Sequence, residues 1–384
     1  MNILLVNMSV DAVLGGGTVE RTRQLARELQ KLPDTETKVL STTANLKDKS
    51  VFGDSQFILL PCLNQRWYIP APYFGKIYRS LRWADVVIII GHWTIINAMV
   101  YWTNKIVKRP YLFCPAGALH IFGRSGIFKK VYNMIAGKAI LKQADAVIAI
   151  PKDEREQFYK LGVTQDRAVV IPNGISPSDF EYTDEKGIRD KYHLGNAPFL
   201  LFMGRLNKIK GPDILLESFI KVASELPNWK LVFAGPDGGE EQTLKASLKK
   251  CRLEERVHFL GFISGDAKSE LYHAASILVV PSRLEAMSIV ALEAGICGTP
   301  TIMTDQCGFS ELVDAGGAIE VAVDSQPLAE SLHQLMLDED KIKKMGQNAK
   351  KFIRMNYTWA IAAIRHRKLC EEVCNKSARR GADV

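Results

Sequence analysis

Short apolar runs alternate with stretches of 3.6-residue periodicity along most of the chain. In the first half the runs fall at residues 3–7, 38–41, 57–60, 86–90, 111–114, 146–150 and 168–171, with helical patterns at 18–30, 95–107, 127–142 and 152–161. Strands that lack polar alternation and are followed by helices are buried on both faces, so the pattern predicts a parallel sheet covered by helices. Pro172, Gly174, Pro177, Gly187, Gly195 and Pro198, set among many charges, interrupt it and read as a linker with one short helix. The alternation resumes with strands at 199–203, 231–234, 257–260, 277–280 and 301–304 and helices at 212–224, 240–250, 266–273, 288–294 and 326–337. A last helix, 360–375, precedes a tail, 376–384, expected to fray. The predicted class is α/β, with two tandem doubly wound domains at 1–175 and 199–359, a linker at 176–198, and a terminal helix in 360–384 that packs back on the first domain. The carboxyl ends of both sheets are expected to face an interdomain cleft, where open α/β sheets bind ligands.

Composition narrows the class without changing it. The 384 residues are 47% hydrophobic and 24% charged, which excludes a disordered, collagen-like or disulfide-stapled chain. Seven cysteines are scattered, with no C-x-x-C and no Cys/His spacing for zinc, and read as reduced thiols of a cytoplasmic protein. Met1-Asn2-Ile3-Leu4-Leu5-Val6 lacks a basic leader region and reads as a strand rather than a signal peptide. Residues 86–104 carry no charge and are as long as a membrane span, but Gly91, His92, Thr94 and Asn97 resolve them into strand, turn and helix. The net charge of +8 is uneven, +10 in residues 1–175 and −2 in the remainder. This suits either a solvated surface or an anionic partner.

Three loops carry candidate chemistry. Gly204-Arg205-Leu206-Asn207-Lys208-Ile209-Lys210-Gly211 joins a strand to a helix that opens at Pro212. The Arg fork, the Lys point charge and the helix N-terminus suit a phosphate, although the Walker A spacing is absent. Glu285 lies beyond a strand end, placed to hold sugar hydroxyls, and the backbone amides of Met287, Ser288, Ile289 and Val290 could hold a phosphate. Glu293 sits in an apolar helix, where a carboxylate needs a hydroxyl or cation and a ribose diol fits; the solvent side of an amphipathic helix is the alternative. Gly15-Gly16-Gly17 follows the first strand, where glycines let backbone approach a ligand, but position 20 is Glu, so the dinucleotide pattern G-x-G-x-x-G is not met. Asp338-Glu339-Asp340 is expected to be a solvated loop rather than a metal site.

These motifs, in order, resemble the retaining glycosyltransferases of family 4 (glycosyl transferases group 1), which have the GT-B fold of two Rossmann-like domains. The resemblance covers nearly the whole chain. Gly204-Arg205 with Lys210-Gly211, Glu285 with Glu293 seven residues between them, Ile171-Pro172-Asn173-Gly174-Ile175, and Gly15-Gly16-Gly17 with Glu20 and Arg21 carry it. It implies a nucleoside-diphosphate sugar donor, UDP- or GDP-linked, on the second domain, and an acceptor domain at 1–175. It implies that Arg205 and Lys210 hold the diphosphate, Glu293 the ribose and Glu285 the transferred sugar, with Gly16, Gly17, Gly204 and Phe262 also at the donor and no metal or cofactor. The P-H-G-like element of many relatives reads Cys114-Pro115-Ala116-Gly117 here, so His120, four residues on, and His92, at a strand end, are the candidate sugar-contacting histidines.

The segment 66–83 interleaves aromatics with Arg66, Lys76, Arg79 and Arg82. It suits either a buried aromatic core or an anionic lipid surface with ring anchors. The resulting expectation is transfer of a sugar to a saccharide or lipid-linked acceptor in bacterial surface polysaccharide or lipopolysaccharide synthesis, at the cytoplasmic face of the inner membrane, with no nucleic acid as partner. A nucleotide-sugar epimerase of the same fold and a non-catalytic partner subunit are the alternatives.

Overall fold

A computed structural model describes residues 1–11, 16–44, 56–119, 126–181, 183–285 and 287–382. The chain divides into two compact units, residues 1–173 with 359–384, and residues 174–358. The first holds β1 (Asn2–Val6), β2 (Glu36–Thr42), β3 (Gln56–Leu60), a small hairpin of β4 (Cys62–Asn64) and β5 (Ile69–Pro70), then β6 (Val86–Ile90), β7 (Tyr111–Cys114), β8 (Ala146–Ala149) and β9 (Ala168–Val170). Its main sheet is parallel, in the order β3-β2-β1-β6-β7-β8-β9. The order reverses at β1, which puts the ends of β1 and β6 side by side at a topological switch point. The all-apolar β6 is buried at every position, as its sequence requires of a central strand.

The second unit holds β10 (Phe199–Met203), β11 (Lys230–Ala234), β12 (Val257–Gly261), β13 (Ile277–Val280), β14 (Thr301–Thr304) and β15 (Ala318–Val321), parallel, in the order β12-β11-β10-β13-β14-β15. Its core packs Phe202, Phe233, Leu215 and Phe219 beneath the helices. Again the switch point lies between β10 and β13, the strands that lead into Gly204–Gly211 and into the loop of Glu285.

Several elements differ from the sequence expectation. Residues 66–83 end in a helix, Phe74–Trp83, that buries Ile77, Ser80 and Leu81; interleaved aromatics hid its periodicity. Trp67, Tyr73, Phe74 and Tyr78 are exposed, which overturns the core-aromatic alternative for these four rings. Asp338-Glu339-Asp340 is no loop: Asp338 Oδ1 accepts the Lys341 amide at 2.9 Å and caps helix Glu339–Asn356, whose acidic first turn complements the helix dipole. The tail does not fray where expected, because helix Trp359–Ala382 runs on through it. This helix packs on helix Gly16–Gln30 of the first unit. All seven cysteines are free, and among the described residues no helix is long and apolar enough to cross a membrane.

Candidate active site

The loop after β10 is held in shape by its neighbours. Gly211 closes it in the left-handed region, at φ +68°, where a Cβ would lie 2.0 Å from the Pro281 carbonyl oxygen, so only glycine fits. Arg283 then clamps this loop to the one after β13. Its guanidinium makes a two-point contact with Asp213 at 2.9 and 2.8 Å, donates to the Lys208 carbonyl at 2.6 Å, and its amide donates to the Ile209 carbonyl at 2.7 Å.

This clamp brings two predicted residues together. Lys210 Nζ lies 2.7 Å from Glu285 Oε1, and Ser282 Oγ donates to the same oxygen at 2.6 Å. The Glu285 side chain is 8% exposed and Lys210 37%, so the pair has one protected and one open end. Arg205 is exposed, and its guanidinium has no partner among the described residues. A diphosphate arriving at this loop meets one free guanidinium and one ammonium held by a carboxylate.

Glu293 lies in helix Ile289–Cys297 and is buried. Its Oε1 accepts from Lys268 Nζ at 2.5 Å and its Oε2 from the Tyr272 hydroxyl at 2.7 Å. The solvent-facing alternative for Glu293 is therefore overturned. Burial, reinforced by the facing carboxylate, raises the Tyr272 pKa well above its ordinary value, so its hydroxyl stays a donor. Ser288, at the N-cap of the same helix, is fully buried with its Oγ unpartnered. Met287 is buried, Ile289 is partly exposed and Val290 half-buried. The first-turn amides of this helix have no intrahelical acceptor, as in any helix. Gly204 turns the chain out of β10 at φ +154°. Phe262 stands exposed just past the end of β12.

In the first unit Gly16 and Gly17 open helix Gly16–Gln30 beyond β1, and a Cβ on Gly17 would meet nothing within 4 Å. Gly15 and His120 lie outside the described residues, as does Ala286. His92 is buried beside Trp93, Phe113 and Tyr132, with ring centroids 4.3, 5.6 and 5.4 Å away. Its Nε2 pairs with Asn133 Oδ1 at 3.2 Å while Nδ1 is unpartnered. Burial lowers its pKa to about 4, against the opposing pull of Asn133. Burial thus keeps His92 a neutral ring at pH 7, with Nδ1 buried and without a partner among the described residues.

A second buried histidine shares this behaviour. His366 donates Nδ1–H to the Ala362 carbonyl at 2.7 Å and turns Nε2 to Arg21 Nη2 at 3.4 Å. Burial, then the Arg21 charge, lowers its pKa to about 3. Both histidines would bind a proton in the unfolded chain at pH below about 6.5 but resist it when folded. The first unit should therefore lose stability as pH falls from about 6.5 toward 4 and 3, by about 2 kcal/mol for each histidine at pH 5. Thermal melts at pH 7 and pH 5 check this, and coincident midpoints would refute it.

Sequence reasoning missed Lys268, Tyr272, Ser282 and Arg283. Lys268 and Tyr272 are four apart and so share a helix face, but no local signal aims that face at Glu293. Among the described residues no group of three or more His, Cys, Asp or Glu could hold a metal ion.

Comparison with known proteins defines the class. Glycosyltransferase Family 4 matches residues 15–179 and Glycosyl transferases group 1 matches residues 184–352, one on each half of the chain. The crystal structure of HepE from Anabaena in complex with UDP superposes with a TM-score of 0.76 at 19% identity, covering 97% of this chain and 100% of that one; the likeness is one of fold. An uncharacterized glycosyltransferase of Methanocaldococcus jannaschii is 31% identical over 221 residues, 56% of each chain. D-inositol 3-phosphate glycosyltransferase of Nocardia farcinica is 29% identical over 229 residues, 57% of this chain and 51% of that one. The chain thus spans about half the length of the curated relatives it matches. It has the GT-B fold and belongs to glycosyltransferase family 4, the glycosyl transferases group 1.

Proposed function

We propose that this protein is a retaining glycosyltransferase that moves a sugar from a nucleoside-diphosphate sugar to a hydroxyl acceptor. The observation that carries the reading is the gathering of Lys210, Glu285 and Ser282 at the carboxyl end of one sheet, with Glu293 buried beside Lys268 and Tyr272. Arg205 and Lys210 bind the diphosphate, and Lys210 neutralises the charge that grows on it as the glycosidic bond breaks. The free amides at the N-terminus of helix Ile289–Cys297 add their dipole. Glu285 holds the transferred sugar and Glu293 the ribose diol. The acceptor hydroxyl attacks from the face the diphosphate leaves, a phosphate oxygen takes its proton, and the anomeric configuration is kept. Fixed position and fixed charge are what the protein supplies.

UDP, the ligand in the HepE complex, is the first donor nucleotide to test. On the acceptor side, the exposed aromatics and cations of residues 66–83 support a lipid-linked saccharide of surface polysaccharide or lipopolysaccharide assembly, met at an anionic membrane surface.

The donor assignment is tested by Glu293→Gln, which keeps size and the Tyr272 contact but removes the charge that Lys268 meets. UDP affinity by calorimetry should fall about tenfold, the loss of one charged hydrogen bond. Unchanged affinity would remove Glu293 from the donor site.

A further inference from the structure

A hollow of about 340 Å³ opens on the edge of the first sheet, lined by Lys38, Ile58, Lys76, Arg79, Ser80 and Trp83. Lys38 and Ile58 come from the neighbouring strands β2 and β3, and the other four from one flank of helix Phe74–Trp83. Among the described residues three cations line it and no carboxylate does. Among the described residues the carboxylate paired with them is Glu36, 3.9 Å from Lys38 Nζ on a half-exposed side chain, a screened and weak contact.

The polar groups have capacity to spare. Lys76 Nζ gives one hydrogen bond, to the Leu59 carbonyl at 2.9 Å, which leaves two of its three donors free. The Arg79 fork is exposed, with no partner among the described residues. Lys38 Nζ sits 4.0 Å over the Trp83 ring, fixed in place without losing its charge. Ser80, buried, donates to the Lys76 carbonyl at 2.8 Å and keeps its lone pairs. An ordinary solvated face mixes signs and spreads its side chains, whereas here like charges converge on one concavity. Arg and Lys donors around a tetrahedral anion are the natural complement. The apolar surfaces of Ile58 and Trp83 and the volume leave room for a small organic carrier beside it.

We propose that this hollow binds an organic phosphate, a phosphomonoester or a phosphodiester headgroup. The site is separate from the donor loops of the second unit and does not depend on the transferase reading. It gives the anionic surface proposed above one group to grip.

The full chain is titrated with glycerol 3-phosphate and with inorganic phosphate by calorimetry, and sedimented with phosphatidylcholine vesicles with and without phosphatidic acid. Lys76→Gln and Arg79→Gln are compared with Arg82→Gln, which lies on the same helix but not in the hollow. Binding should weaken about tenfold in each of the first two, the loss of one charge-assisted contact, and be unchanged in Arg82→Gln. That pattern with glycerol 3-phosphate identifies a soluble phosphate ester. The same pattern with phosphatidic acid vesicles alone identifies a lipid headgroup. Equal weakening in all three variants would show diffuse surface charge, and no binding of any probe would show an empty hollow; either result overturns the proposal. An unchanged melting midpoint of the first unit in all variants controls for folding.

Discussion

Lys210→Ala is expected to lower kcat/KM for sugar transfer about 10²–10³-fold, the scale of removing one preorganised charge from a developing anion. The structure shows why the effect should exceed a simple loss of binding. Lys210 extends from a loop that Gly211 and the Arg283–Asp213 contact hold in one shape, so the ammonium has little freedom to lose on engaging the diphosphate. It also holds Glu285 Oε1, leaving Ser282 as that oxygen's other partner. Removing Lys210 thus frees the carboxylate assigned to the sugar as well as removing the charge assigned to the leaving group. Steady-state kinetics with varied donor separate the two roles. A fall carried by kcat marks transition-state stabilisation, and a rise in KM alone marks uniform ground-state binding. Unchanged kinetics would remove Lys210 from the mechanism.

Arg21→Ala is expected to have the largest effect on stability, about 3 kcal/mol or more, from the lost charged hydrogen bonds and the cavity left behind. Arg21 is 1% exposed, and among the described residues no carboxylate pairs with it. Instead it donates to Asn173 Oδ1 at 2.7 Å and the Ile171 carbonyl at 2.9 Å, and faces His366 Nε2. One side chain therefore ties helix Gly16–Gln30 to the segment after β9 and to the terminal helix Trp359–Ala382. The midpoint for the first unit should fall by about 6–12 °C. Differential scanning calorimetry measures this, with UDP affinity as the control, since the residues proposed to bind it, Arg205, Lys210, Glu285 and Glu293, belong to the second unit. A variant that melts with the parent would show that the guanidinium's desolvation cancels its hydrogen bonds.

Much of the fold was legible because its strands are buried on both faces. A strand such as β6, Val-Val-Ile-Ile-Ile, has no polar position to confuse its reading, and the helix that follows restores the 3.6-residue period. Elements with weaker contrast were lost. β15 is Ala-Ile-Glu-Val on an edge, and helix Glu339–Asn356 is so rich in Lys that its apolar stripe of Met345, Ala349 and Ile353 is thin. The loops after β10 and β13 were legible for another reason. Glycine, proline and charge must stand at set places where a backbone turns around a ligand, so their chemistry is written locally.

The sequence by itself determined the alternation of strands and helices, the two-part organisation, and the residue types at the loops after β10 and β13, because each depends on neighbours a few positions apart. Tertiary structure alone decided which way the charged side chains face. Glu293 is buried against Lys268 and Tyr272, 25 and 21 residues away, and Arg21 meets His366 across 345 residues. Three cations from one strand and one helix likewise converge on one hollow. A charge inside a protein is tolerated only where partners from distant segments meet it, and that meeting is a property of the packed chain.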